Sequence, residues 1–247
     1  HTGAMTAAVV PMARFQPFSG EHFVLIGIFL LGCVLIALVG RALRGTEREP
    51  AFRRAFAVVI PLFTVPMQVL QLLPGDFTLG TSLPFQVCDL AWILAVVALA
   101  TRNRWATELL YYWGLVLVPL AIATPSLQQA FPDPRYFMFW GMHFLSVWAA
   151  VYLTFGLGIR PTWAGFRRTV GVTLVWALVV MAFNGLTGTN YGYFNRKPSV
   201  ATPLDLLGPW PTYVILEMAI ILAVFALITW PWTIRRHVGS DATLVRR

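Results

Sequence analysis

Cys88 and His143 are the residues of this sequence best suited to covalent chemistry. A thiolate is a strong nucleophile, and a thiol taken out of water needs a base within reach to become one. His143 is the only histidine well inside an apolar segment. A Cys–His pair is an acyl-transfer device: the imidazole takes the thiol proton and the thiolate attacks an ester. Asp89 or Glu217 would orient the imidazole. Pro84 stands just before Gln86-Val87-Cys88-Asp89 and puts that run at a helix start, where the dipole favours a thiolate. Cys33 reads as a small buried hydrophobe. Two cysteines give no disulfide framework. No Cys or His pair has metal-ligand spacing, so neither a metal nor another cofactor is expected. Glycine motifs for nucleotides are lacking. The sole lysine, Lys197, lies in a loop, which removes a retinal Schiff base.

The elements that must position these residues follow from composition. Of 247 residues, 58% are hydrophobic and 11% charged, and the mean hydropathy is +0.71. A soluble domain carries about 25% charge. An ordinary globule, a disordered chain and a nucleic-acid-binding domain are excluded, and an all-α, polytopic membrane bundle is expected. Seven apolar segments run over 22–43, 52–73, 83–100, 106–124, 136–158, 168–186 and 211–230. Each is long enough, or nearly so, for about 30 Å of hydrocarbon. Alternating ten-residue strands are missing, which disfavours a barrel.

The net charge of +8 reads as topology. Seventeen arginines and one lysine suggest a GC-rich, bacterial source. Fourteen of these eighteen fall in alternate connections and the C-terminal tail: Arg41, Arg44, Arg48, Arg53, Arg54, Arg102, Arg104, Arg160, Arg167, Arg168, Arg235, Arg236, Arg246 and Arg247. Only Arg14, Arg135, Arg196 and Lys197 fall in the others. With seven spans this predicts an N-terminus outside and a cytoplasmic C-terminus in a cell membrane. Residues 1–21 read as an expression scar (His1 to Ala4) and an outer arm. Residues 22–234 form the membrane domain, and 235–247 a basic cytoplasmic tail. No signal-peptide pattern precedes the first span, which is expected to be retained.

Polar side chains inside hydrocarbon are functional candidates by default. His22, Gln68, Gln71, Cys88, Asp89, His143, Ser146, Asn184 and Glu217 all fall in the outer halves of their segments. Such clustering predicts a polar chamber, with Gln68, Gln86, Asp89, Ser146, Glu217 and His22 as substrate contacts. Helix-gluing hydrogen bonds are the other reading. Thr64, Gln68 and Gln71 share one helix face. Pro61 and Pro66 are expected to kink the second span. The longest connection, 187–210, holds Asn190, Tyr191, Tyr193 and Phe194, whose aromatics predict a packed lid. Beside it, Arg196 and Lys197 would hold a phosphate headgroup.

Three stretches carry a resemblance: LPFQVCDLAW at 83–92, RYFMFWGMHFL at 135–145 and GTNYGYFNRKPSVATPLDLLGPWPTY at 188–213. The chain resembles the YwaF / transmembrane protein 164 family from about Phe15 to Trp232. That resemblance implies a phospholipid-remodelling acyltransferase, with Cys88 as the acyl-accepting nucleophile and His143 as its base. A histidine often stands in the family where this chain has Gln86. The resulting expectation is a membrane acyltransferase or lipid hydrolase that takes phospholipid or lysolipid from the bilayer. Its rival is a non-enzymatic lipid or small-molecule binding or transport protein that uses the same chamber.

Overall fold

The computed structural model describes residues 14–199 and 201–244. The expected scar and the last residues of the expected tail, 245–247, lie outside them. Every regular element among the described residues is helical. The helices are α1 (Gly20–Leu43), α2 (Glu49–Leu72), α3 (Val87–Thr101), α4 (Arg104–Ala123), α5 (Pro134–Gly156), α6 (Trp163–Thr187) and α7 (Thr212–Leu244). Six of the seven are long and apolar enough to cross a membrane. Their outer faces are apolar, with Phe23, Leu31, Leu62, Leu178 and Ile215 all more than half exposed. Such a surface suits lipid and not water.

The exception is α3. Its 15 residues rise roughly 22 Å, short of the hydrocarbon thickness. The segment expected to begin at residue 83 becomes helical only at Val87, because the chain before it is held in other bonds. The Tyr191 hydroxyl accepts from the Leu83 amide at 3.0 Å, and the Trp176 indole donates to the Phe85 carbonyl at 3.1 Å. Shortness is tolerable because α3 is interior. Ala91, Ala95, Ala98 and Leu99 are fully buried, and α2, α4 and α5 pack around it. At the other extreme, α7 runs past the expected limit at 230, through Pro231, to Leu244. α2 likewise continues through Pro61 and Pro66 without a break.

The basic end of the bundle is tied by arginines. The last carbonyls of a helix lack intrahelical donors, and in hydrocarbon they must find one. Arg53 donates to the Leu99 carbonyl near the end of α3, and Glu49 holds its Nε at 2.9 Å. Arg41 and Arg44 donate from Nε to the Phe155 and Gly156 carbonyls at 3.2 and 3.0 Å, closing α5. Buried Glu108 gathers Arg104 at 3.2 Å, the Thr162 hydroxyl at 3.0 Å and Arg168.

Two wide π turns interrupt α4 at Trp113–Leu117 and α5 at Tyr152–Gly156. The second lets α1 approach. A Cβ built on Gly40 would stand 2.6 Å from the Gly156 Cα, so only glycine fits where these backbones cross. Gly40→Val should therefore destabilise the bundle by about 1–3 kcal/mol. Gly171→Val, in open space on α6, should leave stability unchanged. Denaturant titration of the folded fraction in detergent distinguishes the two; equal behaviour would refute the crossing.

Candidate functional site

At the end of the bundle opposite the arginines, a cavity of about 220 Å³ opens against the start of α3. Its walls are Gln86, Val87 and Cys88 of α3, Leu117, Leu120, Ala121 and Thr124 of α4, Thr173 and Trp176 of α6, and Glu217, Met218 and Ile221 of α7. The connection between α6 and α7 closes it with Tyr193, Phe194, Thr202 and Leu204.

Each wall has a local cause. Gln86 is the N-cap of α3, and its amide donates to the Asp89 carboxylate at 3.1 Å, which fixes the first turn. Val87 and Cys88 fall at the first two helical positions, where no carbonyl lies four residues back within the helix. Their amides therefore have no partner within the helix, and the half-buried Cys88 is one of the residues lining the cavity. The π turn of α4 sets which residues beyond it face inward. Beneath, Trp113 donates to Thr173 at 2.9 Å, and Trp113 and Trp176 pack with ring centroids 6.1 Å apart. Among the lining side chains Glu217 carries the only carboxylate and none is cationic. The Glu217 Oε2 is buried with no hydrogen-bond partner.

The lid is clamped by one side chain. Fully buried Asn184, near the end of α6, donates to the Tyr191 carbonyl at 2.8 Å. Its Oδ1 accepts from the Tyr191 amide at 2.9 Å and from the Thr189 hydroxyl at 2.8 Å. Tyr191 is buried in turn, and its hydroxyl donates to the Leu79 carbonyl at 2.9 Å. Burial pushes this phenol above its ordinary range, so it stays a neutral donor. The Gln86 Oε1 accepts from the Gly192 amide at 3.1 Å, joining lid to helix start. The Tyr213 hydroxyl reaches the Tyr193 carbonyl at 2.5 Å, and the Trp210 indole the Phe194 carbonyl at 3.0 Å.

Of the residues singled out in the sequence, Gln86, Cys88, Glu217 and the lid aromatics Tyr193 and Phe194 line this one cavity. His143 does not line it. The ring of His143 is buried on α5, tilted against Phe139 with ring centroids 4.2 Å apart, and its Nδ1 lies 2.7 Å from the Phe139 carbonyl. A carbonyl only accepts, so Nδ1 carries the proton and Nε2 the lone pair. Among the described residues no hydrogen bond joins Cys88 to His143. Both neighbourhoods meet one aromatic cluster, because Cys88 and Phe139 pack against the core containing Tyr136, Trp140 and Phe144.

The other polar residues serve local structure. His22 is fully buried, takes the Phe18 amide at 2.9 Å and reaches the Ile122 carbonyl at 2.8 Å. Gln68 donates to the Ser82 carbonyl at 2.8 Å, and Ser146 to the Met142 carbonyl of its own helix at 2.7 Å. Asn190 organises the turn at 195–196. Lys197 lies 3.9 Å from Asp205 and 5.4 Å from the centre of the Tyr213 ring, whereas Arg196 is exposed. Among the described residues no group of three or more His, Cys, Asp or Glu is arranged to hold a metal ion. Sequence reasoning missed Trp176, Thr124 and Ser126. Trp176 left a signal, since it stands in the middle of its segment, away from the span ends where tryptophan ordinarily anchors a helix at the membrane surface.

A family model described as the TMEM164 family matches residues 17–229, and the chain belongs to that family. No curated protein and no solved structure matches it.

Replacing Asn184 with Leu leaves the Tyr191 amide and carbonyl without partners and the Thr189 hydroxyl with only Thr187. Each such buried group costs about 1–3 kcal/mol. The expected result is a freed lid, read as faster amide exchange at 189–194 and faster alkylation of Cys88, with exchange in α2 unchanged. Unaltered alkylation would show that Asn184 does not hold the cavity closed.

Proposed function

We propose that this TMEM164-family membrane protein is an acyltransferase or lipid hydrolase, acting on phospholipid or lysolipid through an acyl-enzyme at Cys88 with His143 as base. The observation that carries the reading is a cysteine on the first turn of α3, beside amides with no partner within the helix, in the wall of a cavity. Developing negative charge on an ester oxygen is what such preorganised amides stabilise. The His143 Nε2 takes the Cys88 proton, and the thiolate attacks the ester carbonyl. The C–O bond breaks, the leaving lysolipid oxygen takes the proton from His143, and a thioester remains. A hydroxyl acceptor or water then takes the acyl group. With its Nδ1 already donating, His143 holds the tautomer a base needs. The ring reaches the thiol through a water or on closure around substrate, as catalytic hydrogen bonds often tighten only in the complex.

The cavity is smaller than the roughly 300–1,000 Å³ of sites that enclose a drug-sized ligand. It takes the ester and a short stretch of chain, and the rest of the lipid stays in the bilayer. We read the arginine end as cytoplasmic and the lid end as external, in a seven-span cell-membrane protein of bacterial origin with α3 as an inner span. Arg196, exposed beside the lid, is the residue free to meet a headgroup phosphate.

The lack of a Cys88–His143 hydrogen bond favours a second reading, a lipid or small-molecule binding or transport protein that uses the same cavity without chemistry. Two variants decide. Purified Cys88→Ala should lose acyl transfer and the acyl mass on the intact chain. His143→Gln should slow acylation by about 10²–10⁴-fold. Full acyl transfer by Cys88→Ala would sink the nucleophile. Lipid binding with no acyl mass on the wild type would establish the second reading.

A further inference from the structure

Glu217 takes no part in the acylation step just described, yet it is the one carboxylate lining the cavity. Its Oε2 is buried and unpartnered, an arrangement that costs free energy unless a ligand completes it. The same cavity is lined by Gln86, Val87 and Cys88 at the start of α3. The lining has no Arg, Lys or His, so a phosphate finds no counter-charge inside and a carboxylate to repel it. A group that donates a hydrogen bond and carries no negative charge fits.

Resting on the acyl-enzyme reading, we infer that Glu217 is the catalytic base of the second half-reaction, binding and deprotonating a neutral hydroxyl acceptor inside the cavity while its phosphate stays outside. The acceptor O–H donates to the Glu217 Oε2. As the proton transfers, the acceptor oxygen attacks the thioester carbonyl. The C–S bond breaks, and the departing Cys88 thiolate recovers the proton from Glu217. One proton is borrowed and returned, and no co-reactant is needed. The acceptor chemistry is an alcohol, whether a lysolipid hydroxyl or water. His143 serves the donor ester and Glu217 the acceptor, so the two halves of the reaction use bases on different helices.

The test follows the acyl mass on intact, detergent-purified Glu217→Gln after addition of a phosphatidylcholine donor, with and without lysophosphatidylcholine. Cys88 should still gain the acyl mass, which shows that the cavity is intact. Discharge should slow at least about a hundredfold in both arms, with the product (new phosphatidylcholine or free fatty acid) identifying the acceptor. Hydroxylamine, which needs no protein base, should discharge variant and wild type equally; a structural defect would not give that rescue. Wild-type discharge by Glu217→Gln overturns the assignment, and so does a variant that no longer acylates. If the wild type itself never gains acyl mass, the nucleophile reading fails first, a result distinct from either.

Discussion

A backbone carbonyl or amide facing hydrocarbon must find a partner within the protein, and the arrangement of this molecule depends on how that demand is met at each end of the bundle. At one end the partners are arginines. Arg53 serves α3, Arg41 and Arg44 serve α5, and Glu49 keeps Arg53 in place. The positive charges that read as topology are also helix terminators, favoured where the dipole is negative. At the opposite end the partners are neutral amides. Asn184 and Gln86 take up the backbone of the lid, and few ions intervene near the cavity. The ionic end is therefore a brace, and the amide end is an enclosure that leaves polar groups available for a ligand.

The short α3 links the two. It is anchored through a carbonyl near its C-terminus, and its N-terminus stops where the lid and Trp176 hold the preceding chain out of the helix. Three further residues of helix would bury the amides of Val87 and Cys88 in ordinary helical bonds. Because the helix begins late, these amides stay free beside the thiol. Local hydrogen bonding by Tyr191 and Trp176, remote in sequence, thus sets the place of Cys88 on the first turn of the helix.

The helical, membrane-embedded class was plain from composition, and six of the seven segments coincide closely with long apolar helices. The candidate nucleophile was legible from Pro84 and its place at a helix start. Less legible was which polar residues would meet. Depth along a span can be counted in residues, but the direction of each side chain depends on packing angles that no single segment encodes. Gln68, Ser146 and His22 have the right depth and bond instead to nearby carbonyls. Cys88 and Glu217, 129 positions apart, meet at one cavity. The start of α3 was misplaced for a related reason: apolarity marks residues 83–86 as span, whereas the bonds that keep them out of the helix come from α6 and the lid.

The π turn of α4 has a consequence for how such proteins diverge. A single extra residue within a helix rotates everything beyond it by about 100° while leaving the upstream half in place. Leu117, Leu120, Ala121 and Thr124 lie at or beyond the turn at Trp113–Leu117, and all four line the cavity. One codon gained or lost in this turn would present a different stripe of α4 to the ligand without touching Cys88, Glu217 or the arginine brace. The lining of such a cavity can therefore change by a shift in phase as well as by substitution.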